Sequence, residues 1–269
     1  MLHKNNQTKQ SAKFLQTSRA LLTTQFIEIW RTHLLLWCLA FGSLVLGFGY
    51  FMQALALTES AQITLVSTAP LIRFVGVLLT ILFCTQSICR DLQDKTHLSV
   101  LAQPISKIHW FFGKLMGCVL VACCVSLVLG WFLLMNHPEN YCVWWLSLTL
   151  ELMLVSALAG LFALTFGQIT PAISSALLIY LASRLTNLFT ELALRGDEIH
   201  WWEKFAGYLI RIVDLILPKL AHFAQTDWLT DSSLNHHLGQ TLSFNLLQVV
   251  LYIGLIFIAG WLDLRTREW

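Results

Sequence analysis

Charge is what this chain lacks. Only 12% of its 269 residues are Asp, Glu, Lys or Arg, against about one in four in soluble domains. Hydrophobic residues make up 57%, and the mean hydropathy is +0.66. A surface so poor in charge faces lipid. The formal net charge of +2 is too small, and the basic residues too scattered, to point to nucleic acid. Chemical motifs are missing as well. No Ser–His–Asp order and no His-Glu-x-x-His helix supports a protease, and His222 and His236-His237 lack the companions of a closed metal site. They read as ordinary loop histidines. Internal repeats and low-complexity tracts are absent. A cleavable signal peptide is not expected, because the first apolar run starts late and is too long for one. Lipidation motifs are not seen at Met1-Leu2-His3 or at Arg267-Glu268-Trp269. Cys38, Cys84, Cys89, Cys118, Cys123 and Cys124 lie in or beside apolar segments, and Cys142 on a short loop; all seven read as reduced packing residues.

What is present is a set of lipid-length runs. Crossing the hydrocarbon core takes roughly 20 apolar residues. Six stretches qualify: Leu34–Leu57, Pro70–Cys89, Ile108–Met135, Val143–Gly167, Pro171–Thr190 and Phe244–Leu262. The expected fold is therefore all-α: an integral membrane domain of six transmembrane helices over residues 34–262. Ahead of it, residues 1–33 form a cytoplasmic N-terminus. In it Leu15, Leu22, Phe26, Ile29 and Trp30 recur at helical spacing and suit an interfacial amphipathic helix, rather than a solvent-facing one. Residues 263–269 form a cytoplasmic C-terminus.

Orientation follows from the basic residues. Lys4, Lys9, Lys13, Arg19 and Arg31 precede the first run, Arg90, Lys95, Lys107 and Lys114 separate the second from the third, and Arg265 and Arg267 follow the last. These are eleven of the 17 Lys and Arg residues, and six spans put them all on one side. The loops Thr58–Ala69 and Asn136–Cys142 contain neither residue. Both termini are thus expected in the cytosol and the protein in the inner (cytoplasmic) membrane. The longest outer connection, 191–243, carries Trp202, Phe205, Leu209, Ile212, Val213 and Ile216 at 3–4 spacing. It reads as an interfacial or re-entrant helix ending near Pro218, followed by a polar exposed loop from His222 to Gly239.

The cytoplasmic loop 90–107 is the long charged stretch between two such runs. Asp94 or Thr96 can cap a short helix bearing His97, Leu98, Val100 and Leu101, which Pro104 stops. Ser106 can cap the helix that becomes span three. Such a helix transmits force, because each of its ends leads into a membrane span; a plain positive-inside turn is the alternative. Gly113-Lys114 is not a phosphate loop, since that pattern needs Gly at Ile108 and Ser or Thr at Leu115. This chain is therefore not expected to hydrolyse ATP or to be an enzyme.

Inside the spans, Glu151 and Arg184 fall at matching depths in the outer half of the bundle. Either they pair, or each snorkels outward alone. Arg73, near the outer end of span two, reads as a snorkelling anchor. Gly113 with Gly117, and Ser156 with Gly160, are small pairs four apart that let helices approach closely, within one subunit or across a dimer.

The loop residues Arg90, Asp91, Asp94, Lys95, Thr96, Leu101, Pro104, Ile105, Ser106 and Lys107, followed by Gly113, Lys114 and Leu115, resemble the corresponding stretch of ABC-2-type transporter permeases. In that family an arginine, two acids, a glycine or lysine and a threonine precede a leucine, a proline turn and a Gly-Lys. The layout of interfacial helix, six spans and outer segment is similar too. The resemblance implies a permease subunit, an exporter by analogy. Its loop residues Arg90, Asp91, Asp94, Lys95, Thr96, Leu98, Leu101, Pro104, Ser106 and Lys107 would dock on a separate ABC ATPase subunit, present in two copies. A second permease subunit would complete a homodimer or heterodimer. The segment 23–31 departs from the basic helix of polysaccharide exporters, which speaks against bulky glycans. A lipid, a hydrophobic drug or peptide, or a component for metalloenzyme maturation all stay open. Two rivals stand beside this: an assembly factor with the same layout doing mechanical work on a periplasmic partner, and an ion-coupled carrier with Glu151 as its proton site.

Overall fold

Apolar runs in lipid satisfy their backbone by closing every hydrogen bond inside a helix. The computed structural model describes residues 23, 27–55, 60–94, 107–135, 140–194, 217–224 and 238–266. Every element among them is helical: α1 (Leu34–Leu55), α2 (Ser60–Gln93), α3 (Lys107–Leu134), α4 (Tyr141–Phe166), α5 (Ile169–Leu194) and α6 (Leu238–Thr266), with a 3-10 turn at Leu220–Ala224. Among the described residues, five helices (α1, α2, α3, α4 and α6) are long and apolar enough to cross a membrane. In α5 the apolar stretch is shorter, Ile169–Leu185.

α4 lies at the centre, touching α2, α3, α5, α6 and the 3-10 turn, while α1 packs on α2 and α3. The core is a column of apolar side chains from several helices, including Cys38, Ile72, Val125, Leu129, Leu148, Leu152 and Ala176. A second cluster joins α3, α4 and α6 through Trp110, Phe111, Leu115, Leu164, Ile256 and Leu264. Outside it the order reverses. Leu36, Trp37, Leu44 and Phe51 of α1 and Leu247, Val250, Leu251 and Leu255 of α6 point away from the bundle. In water such stripes would drive aggregation; in lipid they are the solvated surface. All seven cysteines are free, and only Cys142 is exposed.

The structure departs from the sequence reading at the ends of several helices. The stretch expected as an outer loop up to Ala69 is helical from Ser60. Its hydroxyls bond within the helix: Ser67 to the Ile63 carbonyl at 2.7 Å and Thr68 to the Thr64 carbonyl at 2.7 Å. Pro70 is accommodated inside the helix. With 34 residues, α2 runs about 50 Å, well beyond the ~30 Å hydrocarbon core. At the other end of the chain, α6 begins at Leu238, so Gly239 is helical rather than part of an exposed loop. His222 and Phe223 likewise belong to the 3-10 turn, where Phe223 is fully buried. The Ser147 hydroxyl donates to the Phe223 carbonyl at 2.5 Å, which seats that turn on α4. The expected helix at 201–216, the amphipathic positions before Ile27 and the His236-His237 pair lie outside the described residues.

Between α4 and α5 the chain reverses in two residues. Gly167 takes a positive φ of 63°, and its N–H closes on the Ala163 carbonyl at 3.0 Å. This is a left-handed helix stop, a conformation that costs glycine little.

Candidate functional site

The root of the charged loop is held by four polar side chains from three parts of the chain. Lys114, seven residues into α3, is buried and bonds Asp91 of α2 at 2.7 Å. Its ammonium also donates to the Ser87 hydroxyl at 3.0 Å and stands 3.6 Å from Glu28. Ser87 in turn donates to Glu28 at 2.8 Å. Glu28 lies on the short helical segment 27–31, which turns at Thr32 and His33 before α1 begins. The segment buries Ile29 and leaves Ile27 and Trp30 exposed, so Glu28 and Ile29 face the bundle together. A buried ammonium needs partners for its charge and its three donors. Asp91 and Ser87 take two of those donors, and Glu28 adds a second negative charge at 3.6 Å. Gln93 adds a further tie, its side-chain amide donating to the Gly167 carbonyl at 3.5 Å.

This geometry divides the expected docking residues. Asp91, part-buried, pairs with Lys114 inside the chain. Arg90 and Asp94 are exposed. Lys95, Thr96, Leu98, Leu101, Pro104 and Ser106 lie outside the described residues; Lys107 opens α3, and its side chain is not described. Sequence reasoning missed Glu28, Ser87 and Lys114 as a unit. The available signal was Lys114 itself, a lone cation a few residues inside an apolar run.

A second cluster lies nearer the Ser60 end of α2. Glu151 of α4 is fully buried and accepts from Arg73 Nη1 at 2.7 Å, Arg184 Nη1 at 3.2 Å and the Tyr180 hydroxyl at 3.3 Å. Glu151 and Arg184, placed at equal depth by sequence, thus meet. The structure overturns the snorkelling assignment of Arg73. Because α2 starts at Ser60, Arg73 lies about 20 Å along the helix at ~1.5 Å per residue rather than at its end, and it turns inward to Glu151. Its guanidinium is wholly buried, lies 4.8 Å over the Trp144 ring and donates to the Trp144 carbonyl at 3.4 Å. The cluster joins α2, α4 and α5.

The small residues pack within the chain. Gly113, Gly117, Ser156 and Gly160 are all buried. A Cβ at Gly160 would stand 3.0 Å from Leu115 and 3.4 Å from Ile88, so Gly160 is where α4 receives α3 and α2.

An all-helical chain with lipid-facing stripes and charges held inside the bundle is a multi-pass membrane protein. Residues 1–190 match the ABC-2 family transporter protein, and the chain belongs to that family. It is thereby a membrane component of an ABC transporter, and membership implies an ABC ATPase partner. The matched stretch spans both polar clusters and ends within α5; the 3-10 turn and α6 follow it. No curated protein matches the chain.

Proposed function

We infer that this chain is the membrane-spanning permease subunit of an ATP-driven exporter. It works beside a second permease subunit and is driven through loop 90–107 by two copies of a separate ATPase that binds ATP and Mg. The distribution of lysine and arginine supports a six-span arrangement with α5 as the fifth, in which both termini and the loop would lie in the cytosol.

The observation that carries this is the cluster at the loop root. Glu28, Ser87, Asp91 and Lys114 join the N-terminal segment, the end of α2 and the start of α3 into one body. A push on the loop is then passed to three elements together, and α2 and α3 move as a lever pair. Closure of the ATPases upon ATP shifts the membrane part only if they bind its two conformations with different affinity. The ion-coupled alternative finds less support. Glu151 is engaged by Arg73, Arg184 and Tyr180, an arrangement that tethers three helices rather than leaving a carboxylate open to exchange protons.

Co-purification tests the assignment. An ATPase subunit is expected to come down with the wild-type chain and to be lost with Asp94→Lys, which changes an exposed acid outside the internal cluster. An active protein isolated with no such partner would overturn it, and transport in liposomes would separate translocation from mechanical assembly work.

A further inference from the structure

In the cluster around Glu151 two guanidinium groups share one carboxylate. One positive charge is left without a counter-ion among the described residues. In a medium of low dielectric an uncompensated charge is costly, and a cation between membrane helices is retained where an anion meets it. Two buried donors in the same place also have no partner among the described residues: Arg73 Nε and Trp144 Nε1, on residues in direct contact. Arg184 is the accessible member. Its side chain is 27% exposed, and both of its bonds, to Glu151 and to Tyr180, run through Nη1. The Nε–Nη2 edge of the guanidinium has no partner among the described residues.

That edge lies on the margin of α5 between the buried Tyr180 side and an exposed apolar flank formed by Leu178, Leu181 and Leu185. The sequence turns polar directly afterwards, with Thr186, Asn187, Thr190 and Glu191. A cation at the polar limit of an apolar flank presents a planar fork to an anion and greasy side chains to whatever carries that anion. Basic pockets between membrane helices take lipid headgroups in this way.

We propose that the Arg184 edge of this cluster is a binding site for the phosphate headgroup of an amphiphile. The ligand reaches it sideways from the bilayer and lays its chains along Leu178, Leu181 and Leu185. The phosphate supplies the missing counter-ion and completes the bonds of Arg184. This goes beyond the permease assignment, and it is measured without any ATPase, so the two stand or fall separately.

The test is native mass spectrometry of the full chain taken from bilayers of phosphatidylcholine with a minor share of phosphatidylglycerol. One phosphatidylglycerol per chain is expected to stay with the wild type, and phosphatidylcholine is not. Arg184→Gln should lower retention by about tenfold, as expected for loss of a charge-assisted pair. Should that variant fail to fold, Leu181→Glu keeps the question open to refutation. It sets a carboxylate one turn before Arg184, supplies the counter-ion within the chain and displaces the lipid. Arg184→Lys should retain part of the binding, and Arg265→Gln, on α6 away from the cluster, all of it. Equal retention by wild type and Leu181→Glu, equal retention of phosphatidylcholine, or displacement of the lipid by excess inorganic phosphate would each overturn the proposal.

Discussion

Arg73 Nη1 stands 2.7 Å from Glu151 Oε2 with both side chains wholly shielded, and this contact binds α2 to α4 in the middle of the bundle. Removing one partner of a buried pair leaves the other charge uncompensated, at a cost of about 3–5 kcal/mol. Glu151→Gln strands two guanidinium groups and is expected to lower the melting temperature of the purified protein by roughly 10 °C. Thermal unfolding of Arg73→Met, Glu151→Gln and the double variant checks this. The double variant should lose less than the two single losses together, by at least about 1 kcal/mol. Strict additivity would mean that the two residues do not act as a pair.

Asp91 and Asp94 are three residues apart and should behave differently. Asp91 is part-buried against Lys114, so Asp91→Asn is expected to cost about 1 kcal/mol in denaturant or thermal unfolding. Asp94 is exposed, and Asp94→Asn should leave stability within about 0.5 kcal/mol of wild type. Retention of the ATPase subunit should respond the other way, falling more for Asp94→Asn than for Asp91→Asn. Equal effects of both variants on both readouts would contradict the division between anchor and docking acid.

Gly160 is the seat of a helix crossing rather than a dimer contact. A Cβ there meets Leu115 at 3.0 Å, and Gly160→Val adds two further methyl groups into the same space. Overpacking of this kind typically costs about 1–3 kcal/mol. The expected outcome is a lowered melting temperature with the oligomeric state unchanged by light scattering. Loss of the oligomer at unchanged monomer stability would place the residue at an interface between subunits instead.

The 3-10 turn packs on α4 through buried Leu220 and Phe223, and the Ser147 hydroxyl adds a hydrogen bond to it. Ser147→Ala removes the donor to the Phe223 carbonyl and is expected to cost about 1 kcal/mol. Hydrogen exchange should report the loss locally, as faster exchange across 217–224 with the core of α4 unchanged.

Much of this architecture is legible in the sequence, because lipid imposes a simple length and hydropathy rule that α1, α3, α4 and α6 obey plainly. α2 escapes it at one end. Its first turns are rich in Ser and Thr, which look like a loop until the hydroxyls are seen to bond back to the helix. That error propagated to Arg73, since a cation near a helix end snorkels and one mid-helix must find a partner. The depth of Glu151 and Arg184 could be counted from the span ends, and the two residues do meet. The cluster of Glu28, Ser87, Asp91 and Lys114 could not be counted out in this way. It depends on how the segment before α1 folds over the end of α2, which no periodicity within either segment encodes.

The central claim is that loop 90–107 is a handle gripped from the cytosol by an ATPase. The most direct measurement places a photoreactive residue at Leu98 or Leu101 and illuminates membranes holding the full transporter. Cross-linking to the nucleotide-binding subunit is expected, with a yield that changes when ATP is added. Labelling of those positions by an impermeant reagent from outside the cell, or cross-links to lipid alone in every nucleotide state, would contradict the account.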